Sequence, residues 1–172
     1  MTSCLSLFSG LVTSLGSFQA IGPLLASEPG QVLVKAGPVA VYRLPGGLRA
    51  RVHGSDVVIT NGAGVVVARN SSLIRREDEY QSCPSEGFER IVSKGDYFTI
   101  EQQTCGGWFF VNEYITFHYV KATGKIVLYK YGRESIDRRD PNKVTPAELY
   151  TAKQLGQRSF AQVTKASLDA IE

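Results

Sequence analysis

Few side chains in this 172-residue chain could do chemistry, and their spacing limits the kind. With two histidines, His53 and His118, a multi-histidine metal centre is excluded. No phosphate-binding glycine loop, no G-x-S-x-G nucleophile turn and no H-E-x-x-H pair occurs. Carboxylate chemistry of the glycosidase kind needs two inward-facing acids. Glu101 and Glu113 are the candidates, because they fall on adjacent predicted strands. Glu101 shares a face with Tyr97 and Thr99 and reads as an exposed strand carboxylate. Glu113 is odder, because it interrupts an apolar register. A bulge, or a pairing with Arg90 or Arg133, would accommodate it, and a functional buried acid is the other reading. His118 reads as an ordinary sheet residue and His53 as a turn residue. No catalytic residue, metal ligand or cofactor is assigned.

Cys83 and Cys105 lie in turn-rich segments, QSCPSEG and QTCGGW. They read as one disulfide, closing a loop of about 20 residues worth roughly 3 kcal/mol in the chain-entropy model. Two buried thiols are the alternative. A zinc site would need about four ligands, and this spacing supplies none. The residues that could instead meet a partner are Trp108, Phe110 and Tyr114, which share one strand face. That row reads either as a second core face under a helix or as an exposed aromatic patch. Beside it stand two charged stretches. Arg75, Arg76 and Glu77 open a mixed-sign polar break, and Arg133, Arg138 and Arg139 form a basic stripe suited to an acidic partner.

The elements that must position these residues are mostly strands. Hydrophobic residues make up 43% and charged residues 20%, ordinary for a globular domain, and the net charge of +3 is far from a nucleic-acid-binding balance. β-Branched and aromatic runs broken by Gly, Pro and Asn fill residues 32–131. Asn61-Gly62-Ala63-Gly64 between the runs Asp56–Thr60 and Val65–Arg69 predicts a hairpin, because Asn and Gly both tolerate positive φ. Phe88–Val92, Tyr97–Gln103, Trp108–Val120 and Lys125–Tyr131 predict a meander, with Gly124 in the left-handed region of its last loop. Gly132–Asn142 reads as a charged break. Thr145, Pro146 and Glu148 predict a capping box for a helix running to about Gln154 and stopping at Gly156. Phe160, Val163 and Leu168 are spaced for a second short helix. The expected fold is mainly β: an antiparallel sandwich, open barrel or propeller-like sheet of about six to nine strands, with one or two short C-terminal helices.

Residues 1–34 contain no Lys or Arg, and 5–26 are apolar. The segment resembles a secretory signal peptide without a basic start, with cleavage near Ala26 or Ser27. This predicts a signal segment over 1–27, a single β-rich domain over 28–172, no stable membrane span in the mature chain, and a periplasmic or secreted bacterial location.

The stretch from Phe88 to Arg133 is similar to the C-terminal part of exported bacterial β proteins, often lipoproteins, related to FG-GAP/VCBS-type modules. The matching residues are Gly95, Tyr97, Phe98, Gly106, Gly107, Trp108, Ile115, Thr116 and Phe117. Those modules often bind calcium through a loop with several Asp residues. Here Gly54-Ser55-Asp56 offers one carboxylate, so no calcium site is expected. The resemblance implies an exported β module and names no substrate. Size, export and the missing catalytic motif together point to a non-enzymatic immunity or inhibitor protein that neutralises a secreted toxin or hydrolase, and does not bind nucleic acid. The alternative is an envelope module binding cell-wall glycan or another surface component through the Trp108–Tyr114 row.

Overall fold

The computed structural model describes residues 40–75, 87–140, 142–143 and 145–171. Among these, nine strands form two antiparallel sheets. The first holds β1 (Val41–Arg43), β2 (Arg49–His53), β3 (Asp56–Thr60) and β4 (Val66–Asn70) in sequence order. The second holds β5 (Gly87–Lys94), β6 (Tyr97–Gly106), β7 (Phe109–Val120), β8 (Lys125–Asp137) and β9 (Glu148–Thr151), again in order. Two short helices follow, α1 (Ala152–Leu155) and α2 (Lys165–Asp169). The fold is mainly β and sandwich-like, because both sheets contribute to one core. Ala50, Val57 and Ile59 from the first sheet meet Phe98, Ile100, Ile115, Phe117 and Leu128 from the second.

The C-terminal segment closes that core. Phe160 packs edge-on against Phe117, with ring centroids 4.9 Å apart, and Phe98 stacks on Phe117 at 5.4 Å. Such pairs contribute about 0.5–1.5 kcal/mol beyond their burial. Buried Asn70, at the end of β4, donates from Nδ2 to the carbonyls of Phe160 and Val163 at 2.6 and 2.7 Å. These bonds fix the segment before it enters α2.

Several local expectations are corrected by tertiary pairing. The hairpin around Asn61–Gly64 forms, and the return strand starts one residue later, at Val66. Asn61 acts through its side chain, accepting from the amides of Ala63 and Val65, and Gly64 takes a positive φ. The strand expected to end at Tyr131 continues to Asp137, because β7 offers a backbone partner for every residue from Arg133 to Asp137. The helix expected from Thr145 begins only at Ala152. Glu148–Thr151 instead adds a strand to the open edge of β8. The capping box passes to Thr151 and Gln154, and Gly156 ends the helix as expected. Thr145 Oγ1 donates to the Ser135 carbonyl at 2.9 Å.

One register shift decides the interior. Simple alternation from Lys125 places Tyr131 on the face opposite Ile126 and Leu128. The β7–β8 pairing steps from Phe117↔Leu128 to Thr116↔Lys130, so Tyr129 is an extra residue, a β-bulge. A one-residue slip exchanges the two faces of a strand. Tyr131 therefore turns inward and is fully buried.

Gly46, in the turn after β1, has φ of 69°, and a Cβ there would collide with the Tyr119 ring. We expect Gly46→Ala to lower stability by about 2 kcal/mol or more, combining a left-handed backbone with overpacking. Equilibrium denaturation reads this directly, and an unchanged midpoint would mean the turn withdraws from Tyr119.

Candidate functional site

The interior is polar at one end. Glu113 lies on the core face of β7, in line with Val111, Ile115 and Phe117, and is 1% exposed. Its Oε1 accepts from the Tyr131 hydroxyl at 2.7 Å and faces Lys165 Nζ at 2.8 Å. Its Oε2 accepts from Gln102 Nε2 at 2.9 Å. Gln102, opposite Glu113 on β6, accepts the Arg75 amide at its Oε1. Lys165 also pairs with Asp169 one helical turn on, and Asp169 accepts from Arg75 Nη2 at 3.1 Å. The chain of contacts thus runs from β6, β7 and β8 to Lys165 and Asp169 at the two ends of α2 and back to the segment after β4.

This cluster borders a cleft of about 380 Å³ lined by Thr104, Cys105, Gly106, Val111, Arg133 and Asp169, among others. The Tyr131 hydroxyl is raised well above its ordinary pKa, first by burial and then by the Glu113 charge that it bonds. It keeps its proton as a donor, the reverse of what a nucleophile or base requires. Glu113 already accepts from Tyr131, Gln102 and Lys165, so the arrangement supports a structural carboxylate that anchors α2.

The expectations for individual residues change accordingly. Arg75, expected in a solvated charged loop, has a side chain only 18% exposed and belongs to this cluster. Arg133, expected to open a basic loop, is a strand residue opposite Glu113 and lines the cleft. The Glu113–Arg90 pairing is replaced: Arg90 Nε donates to Glu101 at 2.7 Å, while the cation seated on Glu113 is Lys165, which lies far downstream in the sequence. The helical spacing of residues 160–171 was the only sequence signal that could have raised Lys165. Cys105 is disulfide-bonded. Cys83, Arg76 and Glu77 lie outside the described residues.

A second arrangement lies on the surface at the same end of the sheet. Trp108 sits in the turn joining β6 to β7 and is 65% exposed, and Phe109 beside it is also exposed. The register Gly106↔Phe109↔Asp137 brings the residues after β8 alongside. Arg138 donates its amide to the Trp108 carbonyl at 2.9 Å and places its guanidinium over the Phe110 ring, 5.1 Å from the centroid. Arg139 lies over Trp108 at 5.9 Å. Both nitrogens of its fork bind the Asp137 carboxylate, Nε at 3.0 Å and Nη2 at 2.8 Å. That bond holds the Asp137 carboxyl down to about 2. The Trp108, Phe110 and Tyr114 row is not a continuous platform, because Phe110 lies under Arg138 and the Tyr114 hydroxyl donates to Glu134 at 3.2 Å. Nor do α1 and α2 cover it, since Leu155 and Leu168 seat them on the core side.

Compared with known protein families, curated proteins and solved structures, the chain matches none. The functional reading therefore comes from the geometry. Among the described residues no helix is long and apolar enough to cross a membrane.

Two measurements check this geometry. Glu113→Gln and Lys165→Met should each destabilise by about 3–5 kcal/mol, because each leaves a buried partner unpaired, and the double variant should cost well under the sum. Additive losses would show that the two groups do not interact. The Asp137 carboxyl should titrate near 2 by NMR and return to the ordinary range near 4 in Arg139→Ala. Because the folded value is depressed, the Asp137–Arg139 contribution is complete above the unfolded value and is lost as pH falls toward 2.

Proposed function

We propose that this protein is a non-enzymatic, protein-binding module of the periplasm or extracellular space, acting as an inhibitor or immunity protein toward a secreted toxin or hydrolase. The observation that carries the reading is Trp108, 65% exposed yet seated under Arg139, whose guanidinium is itself held by Asp137. Trp and Arg dominate the energetic centres of protein interfaces, and a side chain held in place before binding loses less entropy on association. Each cation–π contact adds about 0.5–1 kcal/mol at an exposed site. Arg138 and Arg139 remain exposed, so carboxylates of an acidic partner can reach them. The apolar first segment and the disulfide at Cys105 support an oxidising location outside the cytoplasm.

The test is a paired capture. Full-length wild-type and Trp108→Ala proteins serve as bait against periplasmic and secreted protein from the source bacterium and its competitors. We expect one stoichiometric toxin or hydrolase on the wild-type bait and at least about a tenfold loss on the variant, the scale of an interface hot spot. Capture of no partner, or equal capture by both baits, would overturn the reading.

A further inference from the structure

The outer face of the second sheet carries a different surface at its opposite end. Cross-strand pairing places Lys94, Tyr97, His118 and Val127 in one row across β5 to β8. The next row is Val92, Thr99, Thr116 and Lys130. Residues paired across antiparallel strands point to the same side, so these form one surface. Tyr97 stacks on His118 at 4.6 Å with 18° between the rings. Tyr129, the bulged residue of β8, reaches Tyr97 at 4.7 Å and is 46% exposed. Lys94 and Lys130 flank the rings and are exposed, as is Lys125 at the rim. The nearby acids are engaged: Asp96 pairs with Lys121 at 2.7 Å and Glu101 with Arg90.

We propose that this face binds an anionic polysaccharide, with the Tyr129 ring under a sugar ring and Lys94 and Lys130 on its acidic groups. Charge complementarity and composition favour that occupant over the other two classes. Lysine is depleted at protein interfaces where arginine is enriched, and here the free cations are lysines. Single-stranded nucleic acid needs a separate ring face for each successive base, whereas Tyr97 and His118 spend their faces on each other. A sugar chain needs one open aromatic surface bordered by cations, and a polyanion neutralised by lysines releases its counterions on binding. The bulge completes that surface: Tyr129 already faces outward by alternation from Leu128, and the extra residue that turns Tyr131 inward also turns Lys130 outward beside it.

The test uses the full chain and dextran sulfate as probe, with uncharged dextran and oligo-dT for comparison. At low salt we expect binding to dextran sulfate only. Lys94→Gln/Lys130→Gln should weaken it at least about tenfold, and Tyr129→Ala about fivefold, with circular dichroism unchanged. Arg49→Gln/Arg51→Gln removes the same charge from the first sheet, and Trp108→Ala removes the protein-binding centre. Both should bind within about twofold of wild type. Absence of dextran sulfate binding, equal loss from the two charge pairs, or tighter binding of oligo-dT would each overturn the proposal. None of these results depends on the Trp108 reading.

Discussion

Burying Glu113 among Val111, Ile115 and Phe117 would cost several kcal/mol if its carboxylate stood alone. Donors come from separate elements: the Tyr131 hydroxyl from β8, the Gln102 amide from β6 and the Lys165 ammonium from α2. The constraint works in both directions. α2 has five residues, too short to be a stable helix in water by itself. Its position comes from Lys165 on Glu113, from Leu168 in the core, and from the Lys165 amide bonded to the Ser72 carbonyl at 2.7 Å. Removing the acid would leave a buried ammonium with Asp169 as its one ion-pair partner among the described residues.

This polar end also explains why the two surfaces differ. Toward the cleft, Glu113, Lys165, Asp169 and Arg75 bind one another, and at the surface Arg138 and Arg139 are carried out over aromatic rings. Toward the other end the core face is apolar, with Phe98, Phe117 and Ile126 buried, and the outer face is free to carry lysines and stacked rings. A sheet twelve or thirteen residues long on its central strands can hold two chemically distinct surfaces without either disturbing the core.

Much of the second sheet was legible because alternation is a local property. Phe98 and Ile100 alternate with Tyr97 and Thr99 and face inward on β6, and Ile115 and Phe117 face inward on β7. The oddity of Glu113 was also legible, because an acid in an apolar register must find a partner. The partner itself was not. Arg90 and Arg133 were the cations near in sequence to the strands concerned, whereas Lys165 arrives from a segment whose path depends on Asn70 and on the Phe160 packing. Arg75 differs from its local pattern for the same reason: a charge run reads as solvated unless something distant reaches it, and here Asp169 does.

The amino-acid sequence by itself determined the β class, the hairpin positions and the turn glycines, because strand periodicity and positive φ are set by nearest neighbours. Trp108 and its basic neighbours could be named as a candidate surface from residue type alone. Tertiary structure decided the rest. It chose strand over helix for Glu148–Thr151 because an open edge of β8 offered hydrogen bonds that an isolated capping box could not match. It placed the bulge at Tyr129, where the pairing with β7 shifts register between Phe117 and Thr116. That single shift put Tyr131 on Glu113 and turned Lys130 outward beside Tyr129, because in a pleated strand the side of each residue depends on the count of residues before it.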